Sequence, residues 1–592
     1  MHLFVDRKKT ALLLTTSTLI ALIAASFLTV FSIRTASAAP QGALQTTTYH
    51  STAGHITLLS TTKPSHTTHP VPTPGTPAAS GSGTPHTFAH LSIKGAHTAA
   101  AAHQGGTRPA ASSLATSTKE GQLLHNFNGL SNQDQAVANG GPNFAVTPPD
   151  QGLCVGADPA APGQTVVFEP INSAITETST NGGSLTGNPL LGNNVLSFGQ
   201  FWEPNAFSDP RCFYDRATKT FFFTVIGFML SGPDAGQTSI DIAVYNAHGF
   251  AVYQVDSSFG GQFFGDQPHV GYDNNNLYLT TDAFNVAGTA YFGATLFALS
   301  KSQLVSEASS VAEDVFGPLS LGGIPVLTLE PAIGTTPGAT EYLLNSFPFA
   351  DALITPNAVS KQLGFWKVGD GDELSKGHPE KVTLSGKIIS SELYAFPVNA
   401  VSTGDGQVTN QFILSEPALN SDDDRLLQVQ YIDGHLWAAL ATAVSIAKDP
   451  VVRDGVAWFN IDAKAGKVSS QGYIASQGNY LLYPAILHSA EGTTAITFTI
   501  TSATTNPSAA YVVRKADSSH FGSIQVAGAG SGAHLSFSDV LFNEARWGDY
   551  SAAAFAPNGK DIWLATEYIP PMANQNIFDN WGTRVFEVKS DQ

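Results

Sequence analysis

Cysteine is almost missing from this chain: 2 residues in 592. With an even count and no CxxC pair, a catalytic or metal-binding thiol is disfavoured. Positive charge is also scarce, with 28 Lys and Arg against 46 Asp and Glu and a formal net charge of −18. Nucleic acid and anionic membrane surfaces both require a basic footprint, so neither is the main partner. Only 12% of residues are charged at all. Four catalytic signatures are absent: HExxH, a P-loop, GxGxxG ahead of a helix, and a GxSxG elbow. Their enzyme classes are unsupported. Helical periodicity is nearly absent too; only SKSQLVSEAS near Ser300 reads as a short surface helix.

The chain has one long apolar run. Arg7, Lys8 and Lys9 precede apolar sequence from Ala11 to about Ser32, and Ala36-Ser37-Ala38 follows with a small-residue cleavage pattern. Residues 1–39 therefore read as a secretory signal peptide, or as a signal anchor if left uncleaved. The expected location is secreted or cell-surface, with membrane contact only through such an anchor. Residues 40–119 are rich in Thr, Ser, Ala, Pro and His and predict a disordered linker, because they offer too little apolar surface to offset ordering entropy. Nine of the 17 histidines fall between His50 and His125, but at irregular spacing and without paired carboxylates, so a spacer is favoured over a metal tract.

Residues 120–592 read as strands and turns throughout. The stretch from Ser208 to Phe223, SDPRCFYDRATKTFFF, sets a template: an acid beside a proline, a short apolar run, a turn at Asp215 to Thr218, then a more hydrophobic run at Phe221, Phe222 and Phe223. Weaker copies open at Asp150, Asp209, Asp266, Glu330, Asp424, Tyr483 and Asp549, at intervals of 59, 57, 64, 94, 59 and 66 residues. Room for four strands per unit predicts an all-β, seven-bladed β-propeller, with six or eight blades as alternatives. The long interval reads as one blade plus an insertion around Ser391 to Ser421. LLHNFNGLSNQDQ, ahead of the first unit, is expected to lend a strand to the last blade and so remove an open edge.

Cys154 and Cys212 occupy nearly the same point of two successive units, which predicts a disulfide between neighbouring inner strands. Six openings carry an acid: Asp150, Asp209, Asp266, Glu330, Asp424 and Asp549. Placed on a circle, these carboxylates either cap backbone amides in their own blade or share a hard cation, Ca²⁺ being the candidate cofactor. Arg211, Arg425 and Arg546 lie close to those acids, and either neutralise them or clamp a ligand carboxylate. His269, His435 and His488 read as turn or sheet histidines. Aromatic residues such as Trp437, Trp547 and Trp563 read as packing between blades.

The segments RWGDYSAAAFAPNGKDIWLATEYI and WGTRVFEV, with PPDQGLCVG and SDPRCFYD, resemble secreted bacterial β-propeller proteins of the sialidase-like, BNR-repeat-like group over residues 145–590. That resemblance implies an exported propeller. For true sialidases it would also imply an arginine triad, a Tyr nucleophile with a Glu, an F/Y-R-I-P segment and Asp-boxes. The chain has no F/Y-R-I-P, and its nearest box, Phe555 to Trp563, lacks the Ser and Asp. Tyr550, Glu567 and Asp549 are the residues on which such chemistry would fall. The expected function is an extracellular binding or scaffold module with its ligand surface at the channel mouth, acting as a monomer on carbohydrate or protein. The alternative is a sialidase-like glycoside hydrolase, so whether the chain is an enzyme stays open.

Overall fold

Runs such as Thr220–Phe228, buried along their whole length, form strands covered on both faces. Asp-, Asn- and Gly-rich turns between such runs reverse the chain, and meanders result. The computed structural model describes residues 46–63, 121–139 and 146–590, apart from breaks at 188, 203–205, 230–234, 289, 335–337, 348–358, 404–417, 537–544 and 572–578. The expected signal segment and most of the expected linker lie outside the described residues.

The protein is all-β. Among the described residues, seven antiparallel four-stranded sheets follow one another. The first contains Cys154–Ala157, Thr165–Ile171, Ala174–Thr178 and Leu196–Ser197. The second runs from Ala206–Asp215 to Phe250–Asp256, the third from Phe264–Tyr272 to Ser310–Phe316, and the fourth from Glu330–Ile333 to Thr383–Ala395. The fifth runs from Leu426–Ile432 to Lys467–Ile474 and the sixth from Tyr480–His488 to Gln525–Gly528. The seventh holds Ala552–Phe555, Ile562–Tyr568 and Gly582–Val588, with β3 (Leu123–Ser131) as its outer strand. The first strand of each sheet lies against that of the next, and that of the seventh meets that of the first. The loan of LLHNFNGLS to the last sheet agrees with expectation, and so does a short helix at Lys301–Val305.

One feature departs from the sequence reading. Residues 46–63, inside the expected linker, form β1 (Thr47–Tyr49) and β2 (Thr52–Ser60). β1 pairs with the outer strand of the fourth sheet; β2 pairs with that of the third through Thr52 to Thr57 and with that of the second through Leu58 and Ser60. The physical reason is a short alternation within polar sequence: Ile56 turns inward and is buried while His55 and Thr57 face out. The long fourth interval agrees with the reading of one unit plus an insertion, a single four-stranded sheet followed by extra chain. Its extra chain is the connection 396–425, whose described part carries only isolated bridges, Ala400 to Leu419 and Leu419 to Ala545.

Packing between sheets is strongly aromatic. Phe168 of the first sheet stands edge-on to Phe221 and Phe223 of the second, with centroids 5.0 and 5.1 Å apart. Each such pair contributes about 0.5–1.5 kcal/mol beyond area burial. The Cys154–Cys212 disulfide ties the same two sheets, with Cα atoms 5.4 Å apart.

Candidate functional site

Each sheet opens on a residue in the left-handed backbone region: Asp150, Asp209, Gln267, Thr328, Asp422, Tyr483 and Gly548, with φ between 45° and 52°. In the second, third and sixth sheets a bulge spans this residue and the proline after it. The bulge re-aims the inner strand and marks the true equivalence between repeats. On that register the six acids are not equivalent. Asp150 and Asp209 are the left-handed residues, Asp266 stands one before, Asp549 one after, and Glu330 and Asp424 two after. The expected ring of equivalent carboxylates is therefore corrected. Aligning on acids slid the copies by up to two residues, because Asp tolerates left-handed backbone as readily as the polar positions beside it.

All six acids are nonetheless gathered near the strand openings and are at most 6% exposed. Local partners hold several of them. Asn172 Nδ2 donates to Asp150 at 2.6 Å, and Asn172 Oδ1 accepts from the Asp209 amide at 2.7 Å. Asp266 accepts from the Gln267 amide at 2.9 Å. Burial pushes the Asp424 carboxyl up to about 8. Among the described residues no three His, Cys, Asp or Glu side chains are grouped to hold a metal ion. The calcium reading of these acids thus lacks a ligand set.

Two residues beyond the left-handed one come Gly152, Arg211, His269, Glu330, Asp424, Ala485 and Tyr550. Four of these meet. The Arg211 guanidinium lies over the Tyr550 ring at 3.3 Å, and His269 meets the same ring edge-on at 5.6 Å. His269 Nδ1 sits against Glu330 Oε2. Burial lowers the His269 basicity well below its usual value, helped by Arg211 and Arg425, and raises the Glu330 carboxyl well above the usual range. Both shifts favour the neutral forms of the pair. Tyr550 Oη donates to Asp209 at 3.1 Å, and burial raises its phenol well above 10. Tyr550 belongs to the opening of the seventh sheet and His269 to the third, so their contact joins sheets that are not neighbours. Gln428 of the fifth sheet likewise donates to Ala553 O of the seventh at 3.1 Å. A cavity of about 70 Å³ near these residues is lined by Arg211, Glu330, Tyr272 and Gln428.

The other two arginines of the expected clamp do not join Arg211. Arg425 is held by Asp423, at 2.7 Å from Nε, and by Asp422 at 3.3 Å; Arg546 binds Asp549 at 2.9 Å. Glu567 is buried in the second strand of the seventh sheet, where burial and the Asp150 charge raise its carboxyl. The hydrogen-bond partner of the Tyr550 phenol is Asp209. His269 was missed as a central residue. The X-Pro dipeptides Asp209-Pro210, Gln267-Pro268 and Tyr483-Pro484 carried the signal that would have aligned it with Arg211.

At the opposite ends of the strands lies a larger pocket, of about 360 Å³, between the fifth and sixth sheets. His435, Trp437, Asn460, His488 and Arg514 line it, with Asp433 at its rim. Ligand sites typically occupy about 300–1,000 Å³, so this pocket reaches ligand size and the smaller cavity does not.

No family model matches any part of the chain, and no curated protein matches it. Solved structures give likenesses at low identity. A Trypanosoma rangeli sialidase in complex with sialic acid aligns at 10% identity and a TM-score of 0.31, over 64% of this chain and 54% of that one. The phage phi92 endosialidase aligns at 8% and 0.33, over 64% and 66%. A Hadza microbial sialidase aligns at 10% and 0.35, over 73% and 74%. This chain thus spans about half the length of the trypanosomal enzyme it is similar to, and likenesses of this strength assign neither family nor activity.

Proposed function

We propose that the seven sheets close as a seven-bladed β-propeller and that the protein is an exported, extracellular binding or scaffold module without catalysis at its axis. One observation carries this reading: Tyr550 is packed between Arg211, His269 and Asp209 and is only 1% exposed. A sugar cannot reach a phenol so enclosed; Asp209 stands where an activating base would, and it is the burial of Tyr550, not its hydrogen bond, that makes it a plug rather than a nucleophile. Cyclic contact of the inner strands and the closing strand β3 support the propeller, and the disulfide suits an oxidising compartment.

A second reading, glycoside hydrolysis, draws on one observation. Glu330, whose carboxyl burial raises well above the usual range, lines the cavity of about 70 Å³ together with Arg211, so a general acid would sit there rather than at Glu567. A glycan array probed with the full-length chain, with calcium and with chelator, separates the readings. Binding without product release supports the module, release of product supports the hydrolase, and silence on every glycan removes polysaccharide as the partner.

A further inference from the structure

Arg514 is an unusual arginine in this acidic chain. Its guanidinium lies over Trp437 at 4.7 Å, Trp458 at 5.4 Å and Phe521 at 5.8 Å. Nη2 donates to Thr494 Oγ1 at 3.1 Å, and Nε is buried without a hydrogen-bond partner. Among the described residues it forms no ion pair with a carboxylate, whereas Arg425, Arg453 and Arg546 each do. A guanidinium fixed by aromatic faces and lacking a counter-charge is pre-organised for an anion.

The neighbours of Arg514 define which anion. Thr494 Oγ1 accepts from Arg514 and lies 2.7 Å from His488 Nδ1; in the tautomer where the Thr494 hydroxyl donates to Nδ1, His488 Nε2 is the donor toward the pocket. Burial, with the Arg514 and His435 charges, lowers His488 to about 4, so this donor is neutral. Asn460 Oδ1 faces His435 Nδ1 at 2.9 Å, which leaves the Asn460 amide N–H groups available. Asp433, exposed on its turn, is an acceptor that repels a second negative charge. One cation, neutral donors and one acceptor suit a monoanion carrying hydroxyl groups, and a phosphate dianion is disfavoured. We propose that this pocket binds a hydroxylated carboxylic acid of monosaccharide size, a hexuronic acid in chemical class, with its carboxylate on Arg514 and His488 and its hydroxyls on Asp433 and Asn460. The inference rests on the reading of the protein as a binding module but places the ligand away from the axis.

Isothermal titration of the full-length chain with D-glucuronate, D-glucose and acetate tests it. Glucuronate binds, glucose and acetate bind at least about tenfold more weakly, and Arg514→Gln loses at least about tenfold, the loss expected for one charge-assisted contact. Glucuronate also shifts the imidazole resonances of His435 and His488 in the wild-type protein, a readout that stands if Arg514→Gln fails to fold. Absence of glucuronate heat, equal binding of glucose, undiminished binding by a folded Arg514→Gln, or unmoved imidazole signals each overturns the proposal. Glycan-array binding that persists without glucuronate binding overturns this inference alone. A silent array with glucuronate bound at Arg514 overturns the polysaccharide reading and leaves this one standing.

Discussion

Glu169 shows how single buried carboxyls shape this protein. It accepts from the Leu130 amide at 2.8 Å and meets Thr583 Oγ1, which also lies 3.0 Å from Leu130 O. The residue thereby locks the first sheet to both chain ends in the seventh. Burial raises its carboxyl from 4.5 to about 7. An acid whose folded value exceeds its unfolded one holds its proton longer in the native state, so its stabilisation is complete below about pH 4.5 and lost as pH rises to about 7. Stability should fall by up to about 3 kcal/mol across that window from this group; denaturant midpoints measured against pH should show the fall, and Glu169→Gln, which keeps the contacts, should flatten it. At the axis, Tyr550→Phe deletes the donor to buried Asp209, and urea denaturation should register a loss of about 1–3 kcal/mol. An unchanged midpoint would mean that the phenol does not hold the axial cluster together.

Among the elements, β1 and β2 are the least expected, since they cover outer edges of the fourth, third and second sheets in turn. Open edges template unwanted pairing, and a strap of this kind removes them. Ile56 is its apolar anchor, 5% exposed and packed with Tyr253 and Val311. Ile56→Ala should cost about 2–4 kcal/mol, read as a lowered Tm, and deletion of residues 1–63 should produce concentration-dependent association in light scattering. A truncated chain that stays monomeric with an unchanged Tm would show that the strap protects nothing. The strap escaped the sequence reading because three inward residues, Tyr49, Ile56 and Leu58, are too few to register against surrounding Thr and Ser, and their partners lie about 200–330 residues away in sequence.

At the scale of the molecule the Cys154–Cys212 bond closes a loop of 58 residues between the first two sheets. Replacing both residues with Ser should cost about 4 kcal/mol by loop-closure entropy, measured as a shift in denaturant midpoint; a smaller effect than about 1 kcal/mol would place the stability of that junction in the Phe168, Phe221 and Phe223 packing instead. Much of the architecture was readable in the chain because it is local. Strand alternation, Asp-Gly and Asn-Gly turns, the hairpin through Asp215, the closing strand at Leu123–Ser131 and the pairing of the two cysteines all follow from short patterns and their period. The site was not local. Which residue of each repeat points to the axis depends on a left-handed bulge that shifts the register, and one residue of shift sends a side chain to the other face. Arg211, Arg425 and Arg546 have equivalent chemistry in the sequence, yet folding gives Arg425 and Arg546 acids of their own and lays Arg211 on Tyr550. Arg514 and Trp437 come from different sheets, so their contact exists only once those sheets pack. The sequence alone determined a disulfide-linked, acidic β-protein, because those properties are sums over short segments; the tertiary structure decided which charges are spent on one another and which one faces a pocket, because that depends on distances between sheets.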